Sequence, residues 1–297
     1  MKTRAALTEG GFQTVRLAKL TGLFYAVNLG VAAVAAAPVA VLVSGDLSHS
    51  LEDNRLFLNF DPAWITEMYY KHGALPAMGF LALASVLAVL FLLVNTYLAG
   101  GALALFQHEE EAYFSACARY FPRLLRLLLI SLVVYSAVFA LTGSLGRGIE
   151  HFRESSMVSR PWIILHWIQI ALAVFLIGVV NMVFDYAKIA SVGGETRGAL
   201  SATTSALRFV SRRPGRTLGV YWVCSAAALA LLAAYHGITE ATGQETATTV
   251  VLVFALRQAY MLARTWVRLW TWSSELHVYT FNSTIVAPEP PSLAVAG

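Results

Sequence analysis

Charge is scarce in this chain. Only 13% of its 297 residues are charged, while 58% are hydrophobic; ordinary soluble domains carry about 25% charged residues. A soluble fold of this length cannot hide so much apolar surface in its core, so the bilayer is its natural solvent. The net charge is only +4, and the basic residues form no patch of the kind that binds nucleic acid. Cysteine is nearly absent. Cys117 falls in an expected cytoplasmic segment and Cys224 inside an expected membrane helix, so no disulfide is expected.

Signatures of catalysis are missing as well. His108-Glu-Glu-Glu-Ala112 lacks the second histidine of a zincin, and no G-x-S-x-G occurs. Gly193-Gly-Glu-Thr-Arg-Gly198 has glycines but neither a preceding strand nor a P-loop lysine. His49, His72, His151 and His236 lie in outer loops or at their edges, with His166 just below. None has ligand spacing with another, so neither a metal nor a cofactor is implied.

What the chain does have is long apolar runs. Six can cross about 30 Å of hydrocarbon at about 1.5 Å per residue. They are Leu20–Val43, Ala74–Ala99, Leu124–Leu145, Trp162–Val183, Leu218–Tyr235 and Ala247–Leu269. The first covers 24 residues, longer than the roughly 7–15 of a secretory h-region, and is read as a span. Thr242 with Glu245 forms a capping box ahead of the sixth, and Ser159 with Pro161 opens the fourth. The fold expected is all-α: a polytopic membrane domain over 1–281, then a proline-rich disordered tail over 282–297. In the first outer loop, Asp61-Pro62 followed by Trp64, Ile65, Met68 and Tyr69 reads as a short interfacial helix. Small-xxx-small ladders, Ala32/Ala36/Ala40 and Ala226/Ala230/Ala234, suit close helix packing, with a kink at Pro38.

Orientation follows from the basic residues. With the N-terminus inside, 16 Lys/Arg fall on the cytoplasmic side and 5 (Arg55, Lys71, Arg147, Arg153, Arg160) outside. The positive-inside rule then places both ends in the cytoplasm.

Two connections look alike. Glu111-Ala-Tyr-Phe-Ser-Ala-Cys-Ala-Arg-Tyr-Phe-Pro-Arg precedes the third span, and Ala199-Leu-Ser-Ala-Thr-Thr-Ser-Ala-Leu-Arg-Phe-Val-Ser-Arg-Arg-Pro precedes the fifth. Each reads as an amphipathic elbow helix on the cytoplasmic face, with Arg119 and Arg208 at phosphate level. Phe114, Cys117 and Phe121 would face one way in the first, Leu200, Leu207 and Val210 in the second. The hairpins 74–145 and 162–235 are then parallel repeats, or two unrelated elbows of similar composition. Asp185-Tyr-Ala-Lys-Ile-Ala, Ala206-Leu-Arg-Phe and Arg213-Pro-Gly-Arg carry a resemblance to bacterial six-helix membrane proteins. That group is similar to the YciC-like proteins and to the membrane domain preceding some glycerophosphodiester phosphodiesterases. No soluble catalytic domain follows the sixth span, so the resemblance implies a stand-alone membrane domain and carries over no catalytic residue.

Ionisable groups inside a bilayer cost a few kcal/mol or more, which makes each one a functional hypothesis. Arg257 lies about 11 residues into the sixth span, roughly 16 Å deep. Gln169 sits at a comparable depth, with His166 one turn nearer the outside. Together they read as an anion or lipid-phosphate site, or as an arginine bonded to its neighbours. Asn28, Asn95, Asn181, Asp185 and Arg264 form a second group toward the inner leaflet, with Asp185–Arg264 as an expected ion pair. Interhelical hydrogen bonds explain it as packing glue. The function expected is a non-enzymatic membrane module whose partners are the bilayer, anionic lipid or another membrane protein. The rival is a small transporter with a path around Arg257; an intramembrane enzyme comes third, for want of a nucleophile–base pair.

Overall fold

The computed structural model describes residues 3–47, 70, 74–107, 112–155, 160–193, 198–242 and 247–283. The 282–297 tail beyond Ser283, the interfacial helix expected after Asp61, and Glu245 of the capping box lie outside them. Eight helices and no strand occur among the described residues. They are α1 Thr3–Arg16, α2 Ala18–Leu47, α3 Ala74–Phe106, α4 Tyr113–Ser155, α5 Arg160–Val192, α6 Ala199–Arg212, α7 Pro214–Thr242 and α8 Ala247–Ser283. Six of them (α2, α3, α4, α5, α7 and α8) are long and apolar enough to cross a membrane. The protein is an integral, multi-pass membrane protein.

The helices outrun the hydropathy windows. The sixth does not stop near Leu269 but continues to Ser283. An additional helix, α1, precedes the first span; its sequence is too polar for hydropathy to mark. Both expected elbows are helical, but they differ. The second is a helix of its own, ended at Arg213 (φ −140°, ψ 52°). Pro214 steers its predecessor out of the α region and then opens α7 at the first helical position. The first is the opening of α4, with Pro122 inside the same helix. That proline forfeits one backbone hydrogen bond, to the Ala118 carbonyl, a loss membrane helices accommodate.

The faces of these segments also depart from expectation. In α6 the buried side is Ala202, Ala206 and Val210, while Leu200 and Leu207 are 70% and 55% exposed. In α4, Cys117 is buried and Phe114 exposed. Small residues win the inward face because backbones come close there: a Cβ on Gly101 would stand 2.5 Å from Cys117 Sγ.

The chain forms two compact units. The first comprises Met1–Arg16, Ala99–Ala227 and Arg268–Gly297. Its centre is the second half of α5, where Met182–Ala187 and Ile189–Val192 are buried, with Leu269, Thr271–Leu276, Val278 and Tyr279 of α8. Helix α1 packs into it through Ala6, Gly10 and Thr14. A Cβ at Gly10 would collide with Ser274, reaching its backbone nitrogen at 2.7 Å. Trp270 donates its indole N–H to Leu7 O at 2.9 Å, and Gln13 bridges Phe106 O (2.8 Å) and the Ser273 hydroxyl (2.7 Å). By contrast, Ile163–Ile168 on the first half of α5 are exposed apolar side chains or exposed His166 and Trp167, as a lipid-facing segment requires.

The second unit comprises Leu17–Leu98 and Ala228–Val267. Its surface is apolar, with Val34, Val86, Leu229, Val251 and Phe254 all more than 60% exposed. Inside it neutral polar side chains pair across helices. Asn95 donates to Asn28 Oδ1 at 2.9 Å, and Tyr25 donates to Gln258 Oε1 at 2.8 Å.

Candidate functional site

The residues singled out in the sequence have separate partners. Arg257 is exposed and donates from Nε to the Tyr235 hydroxyl at 3.2 Å, while Tyr235 stacks on Tyr260 with centroids 4.7 Å apart. Gln169, expected as its acceptor, instead donates to Thr142 O at 2.9 Å; a Cβ on Gly146 would stand 2.6 Å from its amide nitrogen. His166 is exposed. Asn28 and Asn95 bond to each other, whereas Asn181 donates to the Tyr221 hydroxyl at 3.0 Å and accepts from Tyr135 at 3.5 Å. The Asn28–Asn95 bond lies within the second unit and the Asn181 bonds within the first.

Asp185 gathers three hydrogen-bond donors in the first unit. Its side chain is fully buried, yet the expected partner Arg264 is exposed and is not the one it uses. Oδ1 accepts from Lys188 Nζ at 2.9 Å, Arg268 Nη2 at 3.2 Å and the Trp272 indole at 3.3 Å. Both cations also lie over the Trp272 ring, Arg268 at 5.0 Å and Lys188 at 5.7 Å from its centroid. Spacing explains the convergence. Asn181, Asp185 and Lys188 share one face of α5, and Arg268, Trp272 and Glu275 share one face of α8. Arg268 lies one turn beyond Arg264, about 6 Å along the helix, so the depth reading was short by that turn.

Sequence reading missed Glu275, which lies past the end of the apolar window. It is 0% exposed, and neither carboxylate oxygen has a hydrogen-bond partner. Asp185 Oδ2 and the Tyr186 hydroxyl are buried and unpartnered too. The only signal available was the helical spacing from Arg268, which places Glu275 on the arginine face.

A second feature lies where α6 meets α7. Arg213, Pro214, Gly215 and Arg216 line an open cleft of about 450 Å³. Arg208, Arg212 and Arg216 are exposed and Arg213 half-buried. None of the four side chains has an acidic partner among the described residues. The break at Pro214 between α6 and α7 is what brings Arg213 and Arg216 to one cleft. Unpaired guanidiniums at the end of a helix that exposes Leu200 and Leu207 along its length suit phosphate oxygens at an apolar boundary. No family model matches the chain, and no curated protein or solved structure matches it.

Proposed function

We propose that the protein is a non-enzymatic module of the bacterial inner membrane that binds anionic lipid headgroups at the α6–α7 corner. One observation carries this reading: two arginines without acidic partners, Arg213 and Arg216, line an open cleft at the end of an amphipathic helix that also exposes Arg208 and Arg212. The basic bias of the connections supports placing that corner, and both termini, in the cytoplasm. Further interfacial elements fit the same level. Helix α1 exposes Phe12 and Val15 beside Arg16, and α4 opens with exposed Phe114.

The test is lipid-dependent stabilisation of the purified, detergent-solubilised protein. Phosphatidylglycerol should raise the melting temperature of the wild type, and phosphatidylcholine should not. A ligand at 100 times its Kd stabilises by about 2.7 kcal/mol, well within reach of a melt. A triple variant, Arg212→Gln/Arg213→Gln/Arg216→Gln, should melt like the wild type without lipid and lose the response. A variant that keeps the full response would overturn the lipid site.

A further inference from the structure

Arg257 is an exposed guanidinium in the middle of a span of the second unit, and three helix ends fix its depth. Helix α8 begins at Ala247, about 15 Å of rise before it. Helix α7 ends at Thr242, about 10 Å beyond Tyr235, whose hydroxyl it bonds. Helix α2 begins at Ala18, about 10 Å before Tyr25, which donates to the neighbouring Gln258. All three place the head group within the hydrocarbon rather than at either surface. Arginine is among the most costly side chains to leave there uncovered.

Two ordinary escapes are closed. Snorkelling needs the side chain free to turn along the helix toward water. Here Nε is tied to the Tyr235 hydroxyl at 3.2 Å, and Tyr235 is itself stacked on Tyr260 and set edge-on to His236. The other escape is a counter-charge within the chain. Among the described residues Arg257 forms no ion pair, and the Tyr235 bond is its one hydrogen bond. Nε is one of five N–H donors, so the four on Nη1 and Nη2 have no acceptor among those residues.

The neighbouring side chains narrow what can cover it. Val250, Phe254, Arg257 and Met261 recur at helical spacing along one face of α8, and all four are exposed. Lipid tails pack on such an apolar stripe but offer the guanidinium no acceptor. A second copy of this chain offers no carboxylate at that depth among the described residues. Glu9 lies on α1, Glu150 and Glu240 lie near the ends of α4 and α7, and Asp185 and Glu275 are buried.

We propose that this face of α8 docks a transmembrane helix of a different membrane protein, one that carries an Asp or Glu at mid-depth. Its carboxylate takes the two Nη groups of Arg257 as a bidentate pair, and its apolar side chains pack on Phe254 and Met261. The site is separate from the arginine corner and stands whether or not lipid binds there.

The test is energy transfer in phosphatidylcholine vesicles at neutral pH. The full-length protein carries a donor dye on Gly237→Cys, and synthetic transmembrane helices of leucine and alanine carry the acceptor. Gly237 is exposed with nothing within 4 Å of its added Cβ, and both native cysteines are buried. A helix with one central Asp should associate about tenfold more tightly than the same helix with Leu there. Arg257→Leu should abolish that preference, and Arg257→Lys should keep part of it. Equal association of the Asp and Leu helices with the wild type overturns the proposal, a comparison that needs no arginine variant to fold. So does a preference that survives in Arg257→Leu. Transfer between differently labelled copies of the protein that is lost in Arg257→Leu gives the face to a second copy instead. Loss of the Asp-helix preference on adding phosphatidylglycerol gives it to lipid, and either result overturns the proposal.

Discussion

The two units handle polar groups in opposite ways. In the second, neutral side chains meet one to one: Asn28 with Asn95, Tyr25 with Gln258. Its arginine–tyrosine contact, Arg257 with Tyr235, lies at an exposed side chain. In the first, charge is buried and unevenly shared. Asp185 takes three donors on one oxygen and none on the other, and Glu275 takes none. Neutral pairs in a membrane protein contribute about 0.6–2 kcal/mol each and are adequately explained as glue. Buried, incompletely partnered charges are costly, and folds retain them where they serve a purpose.

The largest effect expected from this contrast is at Asp185. Asp185→Asn leaves Lys188 and Arg268 without their counter-charge. Breaking a fully buried pair costs about 3–5 kcal/mol. Because the Arg268 side chain is 40% exposed and can turn to solvent, the lower end, about 3 kcal/mol, is expected. A thermal melt of the purified variant measures it, and an unchanged melting temperature would remove Asp185 as the keystone of the first unit.

Glycine offers a matched pair of tests at intermediate size. A methyl group at Gly10 meets the Ser274 backbone at 2.7 and 2.9 Å, whereas nothing lies within 4 Å of a Cβ at Gly22. Gly10→Ala should destabilise by about 1–3 kcal/mol, because backbone rather than a flexible side chain must move. Gly22→Ala should be neutral or stabilising, by up to about 1 kcal/mol, from helix propensity. Equal melting temperatures for the two variants would break the comparison.

The smallest effect belongs to Arg257. Its exposed contact with Tyr235 is worth about 1 kcal/mol at most. Arg257→Ala should lower the melting temperature slightly, and Arg257→Lys should restore part of the loss, since an ammonium reaches the hydroxyl without the planar fork. An alanine variant that melts like the wild type but loses its response to anionic lipid would move the lipid site from α6–α7 to this arginine.

The spans were legible because apolar run length is a one-dimensional signal. Each of the six stretches found by hydropathy lies within a helix long enough to cross. What lay outside the bilayer signal was harder to read. Helix α1 buries alanine, glycine and threonine rather than large apolar residues, so it leaves no hydropathy trace. The end of α8, Trp270-Thr-Trp-Ser-Ser-Glu275, looks like a polar exit from the membrane but is core. Asp185 was identified and its arginine misassigned by one turn, because depth along a helix ranks residues only to within a turn. The asparagines were grouped by depth alone, which says nothing of which helix meets which. Pro122 and Pro214 show the same limit: similar motifs precede them, yet one continues a helix and the other starts one.

The arginine corner serves as an inner-leaflet site only if it faces the cytoplasm, and one measurement addresses that directly. Both native cysteines, Cys117 and Cys224, are free and buried, so a cysteine introduced at the surface supplies the labelling signal. Gly215 borders the cleft, is exposed, and has nothing within 4 Å of its added Cβ. Gly215→Cys should react with a membrane-impermeant maleimide in inside-out vesicles and stay unlabelled in intact spheroplasts. Labelling in intact spheroplasts would place the four arginines outside and contradict the inner-leaflet site.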